Sequence, residues 1–140
     1  MKVLVIDGQG GRLGMEIIDA LRAAIPGVKI RAVGTNARAT ATMMKAGADS
    51  AATGENPVIV ACREADFIIG PLGIVIADSL VGEMTPAMAL AVSQSPAVRV
   101  LIPMNRCDNL VAGLKSQSMS ELVADAVQKV LGTCESEGIE

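Results

Sequence analysis

Lys2-Val3-Leu4-Val5-Ile6-Asp7-Gly8-Gln9-Gly10-Gly11-Arg12-Leu13-Gly14 is the stretch that decides the fold. Its first part is a short run rich in β-branched residues, closed at once by Asp and Gly. A continuous apolar run of that length reads as a strand buried on both faces. Its second part opens a helix. Residues 11–25 carry an apolar stripe of Gly14, Ile17, Ile18, Leu21 and Ile25 at helical spacing, stopped by Pro26-Gly27. The glycines therefore lie between a strand and a helix, the context in which such a turn carries meaning.

Working outward, Val28 to Val33 reads as a second strand closed by Gly34. Asn36 to Ala46 is Ala-rich and helix-prone, with Gly47 at a good C-cap position. The β-α-β-α order predicts a parallel sheet with crossover helices. Asn56-Pro57 predicts an N-cap with Pro at N1, and a helix to about Glu64. Asp66 to Gly70 reads as a third strand. Ile74-Val75-Ile76 fits a strand or a short helix. Thr85-Pro86 starts another helix, and Val98 to Ile102 is a buried strand. Leu110 to Leu114 is a candidate for one more strand. Ser118-x-x-Glu121 is a capping box for a last helix, whose stripe includes Leu122, Val123, Ala126, Val127 and Val130. Gly132 is expected to stop it. The expected product is one three-layer, Rossmann-like α/β domain with a mainly parallel sheet over residues 1–132, followed by a flexible polar tail at 133–140.

Composition bounds the chemistry. The chain has 140 residues, is 51% hydrophobic and carries a net charge of -3. It has no His, Trp or Tyr, and Phe67 is its one aromatic. Imidazole bases, phenols and His-bound metals are excluded. Base-stacking platforms need several aromatics, and a weakly acidic domain has no general pull on phosphate backbones, so nucleic acid is not expected as a partner. Cys62, Cys107 and Cys134 lie far apart, with no CxxC spacing and no signal peptide, which points to a reducing cytoplasm. The mean hydropathy of +0.46 is high. No membrane span accounts for it, because the most apolar stretch, Phe67 to Ala77, runs about 11 residues where a span needs about 20. Apolar surface buried between copies, in a homo-oligomer, is expected instead.

The turn spaces Gly8, Gly11 and Gly14 as G-x-x-G-x-x-G. The first can make the tight turn, the second lets backbone approach a phosphate, and the third lets the helix lie close on the sheet. Free N–H groups in the helix's first turn then face an anion. A small phosphate-bearing molecule is the ligand class this implies, with Gly8, Gln9, Gly10, Gly11, Arg12 and Gly14 around it. Arg12 opposes the helix dipole unless it meets a phosphate. Asp7 would repel one. It either turns away to accept backbone N–H groups of the turn or holds a Mg²⁺ that bridges to phosphate.

In an open parallel sheet the ligand lies beyond the carboxyl ends of the strands. Those ends supply Asp7, then Thr35, Asn36 and Arg38, then Gly70 and Gly73, then Asn105, Arg106 and Cys107. NAD folds usually carry an acid after the second strand, and none occurs from Val28 to Ala48. Thr35 and Asn36 suit a ribose and Arg38 suits a 2′-phosphate, so NADP is favoured over NAD as a dinucleotide. The P-loop pattern is absent, which excludes that class of NTPase. Cys107 beside Arg106 is either a nucleophile or inert, Cys62 is read as core, and Met43 and Met44 as packing.

The run Gly10-Gly11-Arg12-x-Gly14 resembles the first turn of dihydrodipicolinate reductases. Those enzymes add a catalytic domain with histidines, so the resemblance implies nucleotide binding and no reaction. The whole chain resembles a bacterial family of about this length, domain of unknown function 3842. The matching segments are Val5-Ile6-Asp7-Gly8-Gln9-Gly10-Gly11, Gly34-Thr35-Asn36-Ala37, Lys45-Ala46-Gly47-Ala48, Ala52-Thr53-Gly54-Glu55-Asn56, Ile69-Gly70-Pro71-Leu72-Gly73-Ile74 and Ile102-Pro103-Met104-Asn105-Arg106-Cys107. That resemblance implies no reaction, ligand or catalytic residue.

Three functions compete. The leading one is a nucleotide-binding protein. The second is a small enzyme using Asp7, Asn105, Arg106 and Cys107 on a phosphorylated or carboxylate metabolite. The third is a structural or regulatory homo-oligomer that keeps the turn for packing. With amides and arginines but no base titrating near neutral pH, binding stands ahead of catalysis.

Overall fold

A computed structural model of the chain describes residues 1–104 and 108–139. The elements are β1 (Lys2–Asp7), α1 (Arg12–Ala24), β2 (Lys29–Gly34), α2 (Ala37–Lys45), β3 (Ser50–Thr53), α3 (Glu55–Cys62), β4 (Phe67–Pro71), α4 (Pro86–Gln94), β5 (Val98–Ile102) and α5 (Met119–Glu137). A short 3-10 turn spans Leu72–Val75. The strands form one sheet in the order β3-β2-β1-β4-β5, and every pairing is parallel. The fold is a three-layer, Rossmann-like α/β domain.

β1 explains the layers. Val3 and Val5 face α1, α2 and α5, where they pack with Ile17, Leu21, Met43, Val123 and Val127. Leu4 and Ile6 face the opposite layer, with Val58 and Cys62 of α3, Leu80, Met84, and Met88 and Val92 of α4. A central parallel strand is covered on both faces, so its sequence reads as an unbroken apolar run. Arg22 ties the far end of α1 to its neighbours, donating to the carbonyls of Val28 and Gly47 and to Asp49.

Four features differ from the sequence expectations. Ser50–Thr53 is an edge strand, β3, that no hydrophobic pattern marks. Helix α3 starts at Glu55 with Gly54 at its N-cap, two residues earlier than Asn56-Pro57 implies. Residues 110–114 form no strand. Finally, α5 runs through Gly132 to Glu137 and ends at Gly138, whose φ of 68° makes the left-handed cap expected of Gly132. The apolar residues Leu131 and Cys134 pack on the core and hold the last turns in place. Among the described residues, no helix is long and apolar enough to cross a membrane.

Candidate functional site

The glycine turn joins β1 to α1 at the carboxyl edge of the sheet, between β2 and β4. Asp7 ends β1 and is 4% exposed. One carboxylate oxygen accepts the Gly8 N–H at 2.8 Å and the other accepts the Gly14 N–H at 2.7 Å. Of the two roles open to Asp7, the structure realises the turn-holding one. Burial pushes its carboxyl above the ordinary carboxylate range, against the two N–H bonds, and the nearby charge of Glu83 adds to the rise.

The glycines divide by task. Gly11 has φ of 77°, and a Cβ there would lie 2.8 Å from the Ala39 backbone. A Cβ on Gly14 would meet Met43 and the Asp7 side chain. Both let helices approach each other and the sheet. A Cβ on Gly8 would strike Thr35, Glu83 and Leu80. Gly10 differs, because a Cβ there would meet nothing within 4 Å. The N–H groups of Gly10, Arg12 and Leu13 find no acceptor among the described residues, whereas Gly11 donates to Gly8 and Gly14 to Asp7.

Glu83 is the residue that the sequence does not reveal. It comes from the loop after β4 and reaches the turn. Its Oε1 accepts the Gln9 N–H at 2.9 Å, the Thr35 hydroxyl at 2.6 Å and the Asn36 side-chain amide at 2.9 Å. Desolvation pushes this carboxyl up, yet the Thr35 hydroxyl and the Gln9 and Asn36 N–H groups together hold it below the ordinary carboxylate range. Asn36 also caps α2, accepting the Ala39 N–H, and donates to the Gln9 carbonyl. The end of β2 thus has an acid after all, delivered from a residue 47 positions further along the chain than Asn36. The ground for favouring NADP over NAD, the lack of such an acid, is removed.

The loop that carries Glu83 is tightly built. Asp78 N–H bonds the Met84 carbonyl and Met84 N–H bonds the Ser79 carbonyl. The buried Ser79 hydroxyl donates to the Gly73 carbonyl. Leu80 and Met84 are buried as anchors. Leu80, Val81 and Gly82 all have left-handed backbone, with φ of 55°, 57° and 84°. For Leu80 and Val81 that conformation costs roughly 1–2 kcal/mol each.

The remaining predicted residues fall as follows. Thr35 and Asn36 stand at the site, engaged with Glu83. Among the described residues, the Arg12 side chain makes no hydrogen bond to the turn: it is 77% exposed and pairs with Glu16 at 3.6 Å. Arg38 lies exposed in the first turn of α2. Gly70 and Gly73 serve packing, since a Cβ on Gly70 would press the Ile6 carbonyl and one on Gly73 would press Ser79. Asn105, Arg106 and Cys107 lie outside the described residues. Cys62 is buried as expected, and burial pushes its thiol up to about 11. Met43 is core, while Met44 is half exposed. Among the described residues, no group of three or more His, Cys, Asp or Glu could hold a metal ion. At the opposite edge of the sheet a cavity of about 190 Å³ is lined by Lys2, Lys29, Arg31, Asp49 and Glu64 among others.

No curated protein matches the sequence. Among solved structures, the chain is similar to an E. coli heptosyltransferase solved with ADP, at a TM-score of 0.55 and 19% identity, over 94% of this chain and 47% of that one. It therefore spans about half the length of that enzyme, and the likeness is one of fold. It is also similar to a dodecameric FMN-dependent UbiX-like decarboxylase from Escherichia coli O157:H7, at a TM-score of 0.46 and 19% identity, over 100% of this chain and 96% of that one. A family model matches residues 2–135, so the chain belongs to the family described as Domain of unknown function (DUF3842).

Proposed function

We propose that this protein binds a small phosphate-bearing molecule, a nucleotide, at the turn between β1 and α1. One observation carries the proposal. The turn already holds an anion of the protein's own, the Glu83 carboxylate on the Gln9 N–H. Beside it, the N–H groups of Gly10, Arg12 and Leu13 remain for a second anion at the start of α1. The location supports this. The sheet order reverses direction between β1 and β4, and in open α/β sheets ligands lie at that switch point. The open space around Gly10 leaves room for a phosphate to approach the backbone. Binding stands ahead of catalysis because the chain has no histidine and both Asp7 oxygens are committed to amides.

Thermal unfolding with NAD, NADP, ATP, ADP and pyrophosphate tests the proposal. A ligand at a hundred times its Kd adds about 2.7 kcal/mol, a shift of several degrees. At least one nucleotide is expected to give such a shift, and Gly10→Ala to abolish it without lowering the ligand-free melting temperature. No shift with any of them at millimolar concentration contradicts it.

Self-association is part of the same proposal. Leu110 is 95% exposed and Leu90 54% exposed, and β5 is an unpaired sheet edge in the single chain. Sedimentation velocity is expected to show a homo-oligomer, and the separate free thiols Cys62 and Cys134 suit a reducing cytoplasm.

A further inference from the structure

We infer that Glu83 is the specificity residue of this site: it accepts a free ribose hydroxyl of the bound nucleotide and turns away a ribose bearing a 2′-phosphate. The inference rests on the nucleotide reading above and adds what that reading leaves open.

Three observations carry it. The first is position. Parallel nucleotide folds grip the ribose with an acid at the end of the second strand. Here Thr35 and Asn36 occupy that end, and Glu83 bonds both while also bonding the turn at Gln9. The carboxylate therefore spans the gap between phosphate-side backbone and ribose-side strand. The second is availability. All three bonds fall on Oε1, and Oε2 has no partner among the described residues. A fixed carboxylate with one oxygen to spare is an acceptor for a hydroxyl. The third is construction. Leu80 and Met84 are buried on either side, Ser79 is tied to Gly73, and the backbone at Leu80 and Val81 is held left-handed. Strain kept in place by such anchoring is a mark of a functional loop.

The charges around Glu83 set the sign. A 2′-phosphate there would face a carboxylate at contact distance, with Asp7 close behind it. Of the cations nearby, Arg12 pairs with Glu16, and Arg38, exposed in the first turn of α2, offsets this only across solvent. Repulsion between like charges at such range excludes the phosphorylated sugar more than it favours the free one.

Isothermal titration with ADP, 2′-deoxy-ADP and 2′-phospho-ADP tests this on the full chain. Wild type is expected to bind ADP at least tenfold more tightly than either of the others. Glu83→Gln keeps an amide oxygen for Gln9, Thr35 and Asn36 but removes the charge, and it is expected to bring 2′-phospho-ADP within about threefold of ADP. Glu83→Asp keeps the charge on a shorter arm. It is expected to go on excluding the 2′-phosphate while losing the preference for ADP over the deoxy nucleotide. These wild-type and Glu83→Asp titrations decide the question even if Glu83→Gln does not fold. Equal binding of all three by wild type, or an unchanged preference in Glu83→Gln, overturns the role of Glu83 and leaves the nucleotide reading standing. Failure of every one of these nucleotides to bind both wild type and Glu83→Gln overturns the nucleotide reading and this inference with it.

Discussion

The Asp7 carboxylate accepts the backbone N–H of Gly14 at 2.7 Å, bridging the whole glycine turn from the end of β1 to the first turn of α1. Its other oxygen holds Gly8. The turn is thus shaped by a buried carboxylate that sits under it, and a second carboxylate, Glu83, closes it from above. The amides left over belong to Gly10, Arg12 and Leu13.

Removing the lower carboxylate should loosen the turn. Asp7→Ala strands two N–H groups, each worth about 1–3 kcal/mol when buried and unpaired. Relief of a buried charge offsets part of that loss. A net destabilisation of about 2 kcal/mol is expected in urea unfolding. Asp7→Asn keeps one acceptor and should cost less.

The glycines should separate by experiment. Gly11→Ala combines a left-handed φ with a Cβ 2.8 Å from the Ala39 backbone, and a loss of about 2 kcal/mol or more is expected. Gly10→Ala should stay within about 0.5 kcal/mol of wild type, because its Cβ enters open space. Thermal melts of the two variants check this. It also follows that ligand loss in Gly11→Ala says little about the ligand, whereas ligand loss in Gly10→Ala says a great deal.

The two carboxylates respond to pH with opposite sign. Glu83 has its folded value depressed, so its contribution is present above the ordinary value of 4.5 and is lost as pH falls through the folded value. Asp7 has its folded value raised, so its contribution is present below 3.8 and is lost as pH rises through the folded value. Comparing wild type with Glu83→Gln isolates the first effect. The wild-type advantage is expected to be full at pH 6 and to shrink below about pH 4.5. Urea midpoints across that range measure it.

The strained loop offers a stabilising substitution. Val81 is 93% exposed and holds φ of 57°. Val81→Gly relieves about 1–2 kcal/mol of backbone cost and gives back part of it as entropy of the unfolded chain. A net gain of about 0.5–1 kcal/mol is expected, seen as a melting temperature a few degrees higher.

What could be read from the sequence was local. Val3 to Ile6 with its glycines, the stripe from Ile17 to Leu21 and the Ser118-Glu121 box each state their structure within a few residues. β3 could not be read this way, because Ser50-Ala51-Ala52-Thr53 is a half-exposed edge strand without bulky residues. The end of α5 was misplaced because Gly132 has the chemistry of a stop, but packing of Leu131 and Cys134 outweighs its propensity. Within the site, Asp7, Thr35 and Asn36 were legible from their places at strand ends. Glu83 was not, since only the tertiary fold brings it across 48 residues to Thr35. Arg12 had the right position for a phosphate and the wrong partner, since Glu16 one turn on takes its guanidinium.

The most direct test of the central claim is a titration of ¹⁵N-labelled protein with ADP, followed by the backbone amide signals. Saturable shifts centred on Gln9, Gly10, Arg12 and Leu13 are predicted, absent from Gly10→Ala. Saturable binding that leaves those amides unmoved, or no binding at millimolar ADP, contradicts the account.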